Sequence, residues 1–414
     1  MNGPDPVAVR TRFPGLARRV GGRPAVFADA PGGTQVPRSV IDAVAGYLER
    51  SNANQGGAFP TSAETDRVID EGRRAAADLV GGHPGEVVLG PNMTTLAFAL
   101  SRSLARNLGP GDEVVVTRLD HDANIAPWVA AARDAGATVR WVDVRDEDAT
   151  LDLDGLDAAL SPRTRIVAFT LASNALGTIT PAVEVVRRAR EIGALVIADA
   201  VHLAPHRRID VADLGADVLF CSPYKVFGPH LGIMWARREH LEGWPAYKVR
   251  PAPDSPPERW ETGTANHEAL AGLAAAVDYL AEVGRECRGA PGGDRPAAVT
   301  AAMEEIRDHE ARLSRRFLEG AARVPGLRVF GIADPARVGE RTPTFALRLR
   351  DLPPRRVAEE LGGRGVFVWD GNYYALAIME RLGLEDDGGA VRVGFCHYNT
   401  GEEVDRVLEE LAAL

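Results

Sequence analysis

Only two of the 48 basic residues in this 414-residue chain are lysines, Lys225 and Lys248. All the others are arginines. A guanidinium neither deprotonates usefully nor forms an imine with an aldehyde, whereas an amine does both. A lysine kept against such a bias is a candidate for amine chemistry, and context separates the two. Lys225 lies in CSPYKVFGPHLGI (221–233), just past the apolar run DVLFCS (217–222). It therefore stands on a tight turn at the carboxyl end of an expected strand. Lys248 stands in the Pro-flanked stretch WPAYKVRP and has no such placement.

Three other segments carry residues of the right type. Asp199 ends the run ALVIADA (194–200). A lone carboxylate buried there is costly and needs a partner. A protonated ring nitrogen would suit it and would make that ring an electron sink; a strand-end acid capping a helix is the plainer alternative. In GPNMTTLAFAL (90–100), Thr94 and Thr95 open a helix after a strand. Their amides and hydroxyls could receive a phosphate, although a simple helix cap explains them equally well. His121 follows EVVVTR (113–118), where an imidazole could stack on a flat ring or serve structure alone. The three cysteines, Cys221, Cys287 and Cys396, have no CxxC spacing. Neither a disulfide framework nor a cysteine-based zinc site is expected, and no metal site is assigned.

The elements that must position these residues are legible as alternation. Between about residues 60 and 235, apolar runs (86–90, 113–118, 138–144, 165–173, 194–200, 217–222) alternate with helical patterns at 95–107, 124–136 and 181–193. This predicts a mainly parallel sheet covered by helices on both faces. Ligands in such sheets sit at the carboxyl ends of the strands, and the polar residues above fall there. From about residue 297 a long helix (297–322), short strands (328–332, 342–349, 366–371, 390–395) and a final helix (402–411) predict a smaller C-terminal α/β domain. The expected division is an N-terminal arm (1–40) packing with the small domain, a large domain (41–280) and the small domain (281–414). Stretches 250–257 and 285–296 are expected to be exposed loops.

Composition narrows the class. Apolar content of 45% and charged content of 26% are ordinary globular usage. A net charge of −10 argues against nucleic-acid or anionic-membrane partners. No apolar run reaches spanning length, and MNGPDPVAVRTRFPG has no apolar signal core, so a cytoplasmic protein is expected. No GxGxxG or GxxxxGK[ST] follows a strand, which disfavours an unrelated nucleotide-binding enzyme.

Together with FADAPGGTQVP (27–37), SNALGTITP (173–181) and VRVGFCHYNTGEEVDRVLEEL (391–411), these motifs resemble the class V aminotransferase or cysteine desulfurase-like family of fold-type-I pyridoxal phosphate (PLP) enzymes. The resemblance covers nearly the whole chain. It implies PLP as cofactor, Lys225 as the Schiff-base lysine, Asp199 as the partner of the pyridine nitrogen and His121 as the histidine stacked on the ring. Thr94, Thr95 and Ser222 become phosphate contacts. Thr264, in ETGTAN, becomes a contact to the neighbouring subunit's phosphate, which implies a homodimer with shared sites. Asn174 falls near the ring oxygen and the substrate, and Arg392 at the substrate carboxylate, a role that suits a bidentate fork.

Three departures from the desulfurase pattern bear on function. His202 stands where a Gln usually meets the ring oxygen, and Tyr224 where a His usually meets the phosphate. The loop expected to carry a persulfide-forming cysteine, VFVWDGNYYALAIMERLG (366–383), has none, and Tyr374 falls near that position. Trp369, Asp370, Asn372, Tyr373 and Tyr374 would then shape a different substrate pocket. The expectation is an enzyme acting on a small amino-acid substrate with Lys225 as base. Carbon–sulfur lysis by β-elimination is the first choice; transamination, then epimerisation or decarboxylation, are the alternatives, and a PLP-binding homologue without turnover is a remoter one.

Overall fold

The computed structural model describes residues 6–288 and 293–414. Seven strands form its main sheet: β1 (Val87–Gly90), β2 (Glu113–Thr117), β3 (Thr138–Val142), β4 (Thr164–Thr170), β5 (Leu195–Asp199), β6 (Val218–Cys221) and β7 (Gly232–Ala236). Their order across the sheet is β1-β7-β6-β5-β4-β2-β3. Only β7 runs against its neighbours. The sheet is thus mixed but mainly parallel, an α/β fold of the expected kind. The β7 run, GIMWA, was not among the expected strands; it is a short apolar run directly after the Lys225 turn.

Continuous apolar strands bury both faces of this sheet. Val88, Val114, Val116, Ala168, Ile197 and Phe220 pack to one side against α2 (Met93–Ala105) and α3 (Ala126–Ala135), whose Leu96, Leu100 and Trp128 are buried there. Leu89, Val115, Phe169, Val196 and Leu219 face the other side. Covering them are α1 (Pro60–Val80), α4 (Ala182–Glu191) and α5 (His267–Arg288), through Leu79, Val185, Leu273 and Leu280 among others.

A second, antiparallel sheet contains β8 (Leu327–Phe330), β9 (Thr344–Leu349), β10 (Trp369–Gly371) and β11 (Ala390–Gly394), in the order β8-β9-β11-β10. Its core of Phe317, Phe345, Leu347, Val391 and Val393 is closed by α6 (Arg295–Ala321) and α7 (Gly401–Ala412). Helix α6 belongs to both bodies: Val299 and Ile306 join the core of the large sheet, and Leu313 and Phe317 that of the small one. Residue 281, the expected start of the small domain, falls inside α5. The run 366–371 is split: Val366–Phe367 pairs in parallel with Val26–Phe27, while Trp369–Gly371 joins β11. The N-terminal stretch is therefore fastened to the second layer through Val26 and Phe27. It also reaches the first layer, because Phe13 packs among Phe227, Tyr279 and Tyr398.

Of the loop expected over 285–296, residues 285–288 and 295–296 are instead the ends of α5 and α6. Its residues 289–292, like residues 1–5 of the N-terminal stretch, lie outside the described residues. No helix among the described residues is long and apolar enough to cross a membrane.

Candidate active site

Five strands of the large sheet deliver their following residues to one place. Asn92, Met93 and Thr94 come after β1, His121 and Ala123 after β2, and Asn174 after β4. Asp199, Val201 and His202 come from β5 and the turn beyond it, and Ser222, Tyr224 and Lys225 follow β6. These residues line a chamber of about 100 Å³. A wider chamber of about 560 Å³ adjoins it and shares His121, Asn174, Tyr224 and Lys225. The second layer and the N-terminal stretch supply its other walls: Trp369–Tyr374, Glu385, Gly388, Arg392, Pro31 and Gly32.

The inner chamber holds an amine and an acid, both desolvated. Lys225 ends a 3₁₀ turn (Pro223–Lys225) and is only 5% exposed. Burial, aided by the charge of Arg392, lowers its amine to about 8, although Asp199 pulls the other way. Asp199 is 3% exposed; its Oδ1 accepts the Val201 N–H at 2.8 Å. Burial raises its carboxyl to about 6 against the lowering effects of that amide and Lys225. His121 is held to about 3, first by burial and then by Lys225 and Arg392. Its ring is neutral, with Nδ1 accepting the Ala123 N–H at 3.0 Å.

Two walls of the chamber carry polar atoms with nothing to bond. Asn174 donates through Nδ2 to the Tyr373 carbonyl at 3.0 Å, and its Oδ1 is buried without a partner among the described residues. His202 shares a hydrogen bond of 3.2 Å between Nε2 and Thr342 Oγ1, and its Nδ1 is likewise orphaned. Burial lowers His202 well below the ordinary imidazole range, so this ring too is neutral. Orphaned buried polar atoms are uncommon in native folds, and two of them on residues lining one chamber suit a bonding group held there. A flat, oxygen-bearing ring with an anionic arm meets these demands. It would have an acid for its nitrogen, an amine for its carbonyl carbon, orphaned donors and acceptors for its oxygen, and a helix N-terminus with Ser222 for the arm.

The sequence-derived threonines divide. Thr94 lines the inner chamber. Thr95 is on the same helical turn but not among the lining residues, and its N–H is already taken by Asn92 Oδ1 at 2.8 Å. The helix starts at Met93, two residues before the expected 95, with Asn92 as its N-cap, which brings Asn92 and Met93 to the chamber as well. Thr264 is in a separate hollow of about 970 Å³ with Asn54, Arg73 and Glu261, away from both chambers. Tyr224 stacks on His230 at 5.0 Å and has the Lys225 amine 5.8 Å from its ring centre.

Arg392 projects from β11 and is 4% exposed. It donates from Nη1 to the Asn174 carbonyl at 2.9 Å, and its guanidinium lies 4.3 Å from the centre of the Tyr373 ring. Burial lowers its pKa to about 10, so it stays cationic. Tyr373 in turn donates to the Ala390 carbonyl. Tyr373 and Tyr374 are consecutive left-handed residues, with φ of 56° and 57°. Each costs on the order of 1–3 kcal/mol for a side chain other than glycine. The strained turn aims one ring under Arg392 and the other over His121, which Tyr374 stacks upon at 5.7 Å.

Sequence reasoning missed Asp120, Pro31, Gly32, Glu385 and Gly388. Asp120, fully buried beside His121, accepts from Asn124 Nδ2 at 2.7 Å and bonds the Thr117 hydroxyl. Burial raises it to about 8. Its place directly before His121 was the available signal. Pro31 and Gly32 lie in FADAPGGTQVP, singled out by the resemblance without a site role, whereas Glu385 and Gly388 left no local signal. Among the described residues, no group of three or more His, Cys, Asp or Glu side chains could hold a metal ion.

A family model described as aminotransferase class V matches residues 26–288 and 298–407. The chain is 32% identical to a probable cysteine desulfurase of Streptomyces coelicolor, over 98% of this chain and 96% of that protein. The apo structure of a cysteine desulfurase from Thermococcus onnurineus superposes with a TM-score of 0.85 at 26% identity, covering 99% and 97% of the two chains. The cysteine desulfurase CsdA of Escherichia coli, at 23% identity and a TM-score of 0.80 over 98% and 97%, shares the fold.

Proposed function

The chain belongs to the class V aminotransferase family and is a PLP-dependent enzyme; from that premise we propose that it removes a β-substituent from an amino acid, foremost by breaking a carbon–sulfur bond, and releases the fragment without passing it to a protein thiol. When bound, PLP supplies an electron sink that draws charge from the substrate's α-carbon.

Lys225 would hold the cofactor through Nζ, Asp199 through its ring nitrogen, and Asn92, Thr94 and Ser222 through its phosphate. His121 would cover the ring face, and Asn174 and His202 would meet the ring oxygen. Arg392 would bind the substrate carboxylate with a fork already oriented by Tyr373 and the Asn174 carbonyl. The Lys225 amine, lowered to about 8, can take a proton from the substrate α-carbon near neutral pH and return one. Burial of Lys225 and Asp199 in the same water-poor chamber is the observation that carries this reading.

Release without a thiol relay rests on the cysteines. Cys221 and Cys396 are fully buried with burial raising both thiols, Cys287 lies on α5, and none lines either chamber. Exposed Thr264, in its separate hollow, fits a contact to a second copy's phosphate, so the working unit is proposed as a homodimer. The proposed division stays an arm (1–40), a large domain (41–280) and a small domain (281–414), supported by the separate cores of the two sheets.

The test is to incubate PLP-loaded protein with S-methylcysteine and to quantify products. β-Elimination breaks the carbon–sulfur bond, and the thiol leaves with a proton. The released aminoacrylate then hydrolyses to pyruvate and ammonia, so the three products should appear in equal amounts. A keto acid that retains its sulfur substituent would replace this reading with transamination.

A further inference from the structure

The outer chamber has a feature that binding a three-carbon amino acid does not use. Trp369 and Tyr374 both line it, yet they remain 50% and 75% exposed. They belong to the same cavity as Lys225 and Arg392. A group lying between these rings would therefore belong to a substrate already fixed by its carboxylate and amine.

Neither ring is placed casually. The indole of Trp369 lies against Gly32, where an added Cβ would come within 2.3 Å of Nε1. Only a residue without a side chain lets the N-terminal stretch and the indole form that wall together. Tyr374 owes its position to the left-handed turn it shares with Tyr373, and Asp122 fixes the turn by donating its N–H to the Tyr374 carbonyl at 2.6 Å. Two backbone devices from distant parts of the chain thus expose aromatic faces to one cavity.

We propose that Trp369 and Tyr374 form a subsite for a planar aromatic substituent on the substrate's β-sulfur, making S-aryl cysteine conjugates the preferred substrate class. This rests on the reading that an amino acid binds at Lys225 and Arg392. Stacked or edge-on rings gain beyond simple burial, so an aryl group should outbind a saturated ring of the same size.

The experiment titrates PLP-loaded protein with S-phenyl-, S-cyclohexyl- and S-methylcysteine. Half-saturation is read from the change in the visible absorption band, and pyruvate is measured separately. S-phenylcysteine should half-saturate at a concentration roughly two- to tenfold below S-cyclohexylcysteine. Trp369→Ala and Tyr374→Ala should each bring that ratio close to one. Gly32→Ala, which displaces the indole without deleting it, should do the same and guards against a variant that fails to fold. Equal half-saturation by phenyl and cyclohexyl conjugates in the unmodified protein overturns the subsite, even if pyruvate forms. The phenyl preference without pyruvate from any conjugate supports the subsite and rejects the lyase reading.

Discussion

The most deeply buried acids at the two ends of the large sheet's strands are treated in opposite ways. At the amino edge, Glu113 opens β2 with its side chain 3% exposed, held by Arg140 at 3.0 Å, Arg163 at 2.8 Å and the Ser161 hydroxyl at 2.7 Å. The Ser161 hydroxyl and the two guanidiniums lower its carboxyl to about 2. At the carboxyl edge, Asp199 and Asp120 are as deeply buried, but no arginine or lysine lies within ion-pair distance among the described residues, and burial raises them to about 6 and about 8. In a chain so rich in arginine, leaving Asp199 and Asp120 without an ion pair marks a difference of purpose. Paired acids hold the sheet together, whereas unpaired desolvated acids are kept reactive.

That contrast can be broken by experiment. The largest effect is expected at the reactive edge, where Lys225→Ala should lower turnover by about a thousandfold or more. Product assays on the loaded variant measure this, and near-normal turnover would reject Lys225 as the base. Asp199→Asn should cost on the order of a hundredfold in turnover. Its counterpart Glu113→Gln should leave turnover within about twofold but destabilise the fold by about 1–3 kcal/mol, because the buried carboxylate's charge-assisted hydrogen bonds to Arg140, Arg163 and Ser161 are lost. Denaturant melts beside rate assays would detect a reversal of that pattern.

A smaller and sharper test is proton linkage in the cofactor-free protein. The folded state holds Asp199 protonated up to about pH 6, while the unfolded chain releases that proton near 3.8. Between those values the folded form binds more protons, so this group's contribution to stability falls as pH rises, by roughly 3 kcal/mol in all. Glu113 acts with the opposite sign: its folded carboxyl is lowered from 4.5 to about 2, so its contribution is present above 4.5 and is lost as pH falls through that interval. Melting temperatures from pH 3 to 7 should therefore show Asp199→Asn removing a decline above pH 4, and Glu113→Gln removing a decline below 4.5. The same slope in both variants would erase the distinction between the edges.

How far the site was legible follows from which forces act locally. Lys225 stood out because only two of the 48 basic residues are lysines, and His121 and Asp199 because they follow or end apolar runs. The alternation of strands and helices announced the sheet, since continuous apolar runs have few other uses. Thr94 and Thr95 could not be told apart by sequence, because the helix start, fixed by the Asn92 cap, decides which residues of that turn line the chamber. The site roles of Pro31 and Gly32, and Glu385 altogether, were illegible because these residues reach the chamber only through the pairing of Val26–Phe27 with Val366–Phe367 and the folding of the second sheet. The division of 366–371 was hidden too, since nothing in that run reveals that Val366–Phe367 and Trp369–Gly371 pair with different strands.

In this reading the buried Lys225 amine, which shares the inner chamber with Asp199, carries the cofactor. The chain's two lysines make this directly measurable. Protein saturated with PLP is reduced with borohydride, digested and mapped by mass spectrometry. Loss of the visible band and one stoichiometric label on the peptide containing Lys225 are expected. A label on Lys248, or none on either lysine, would contradict it.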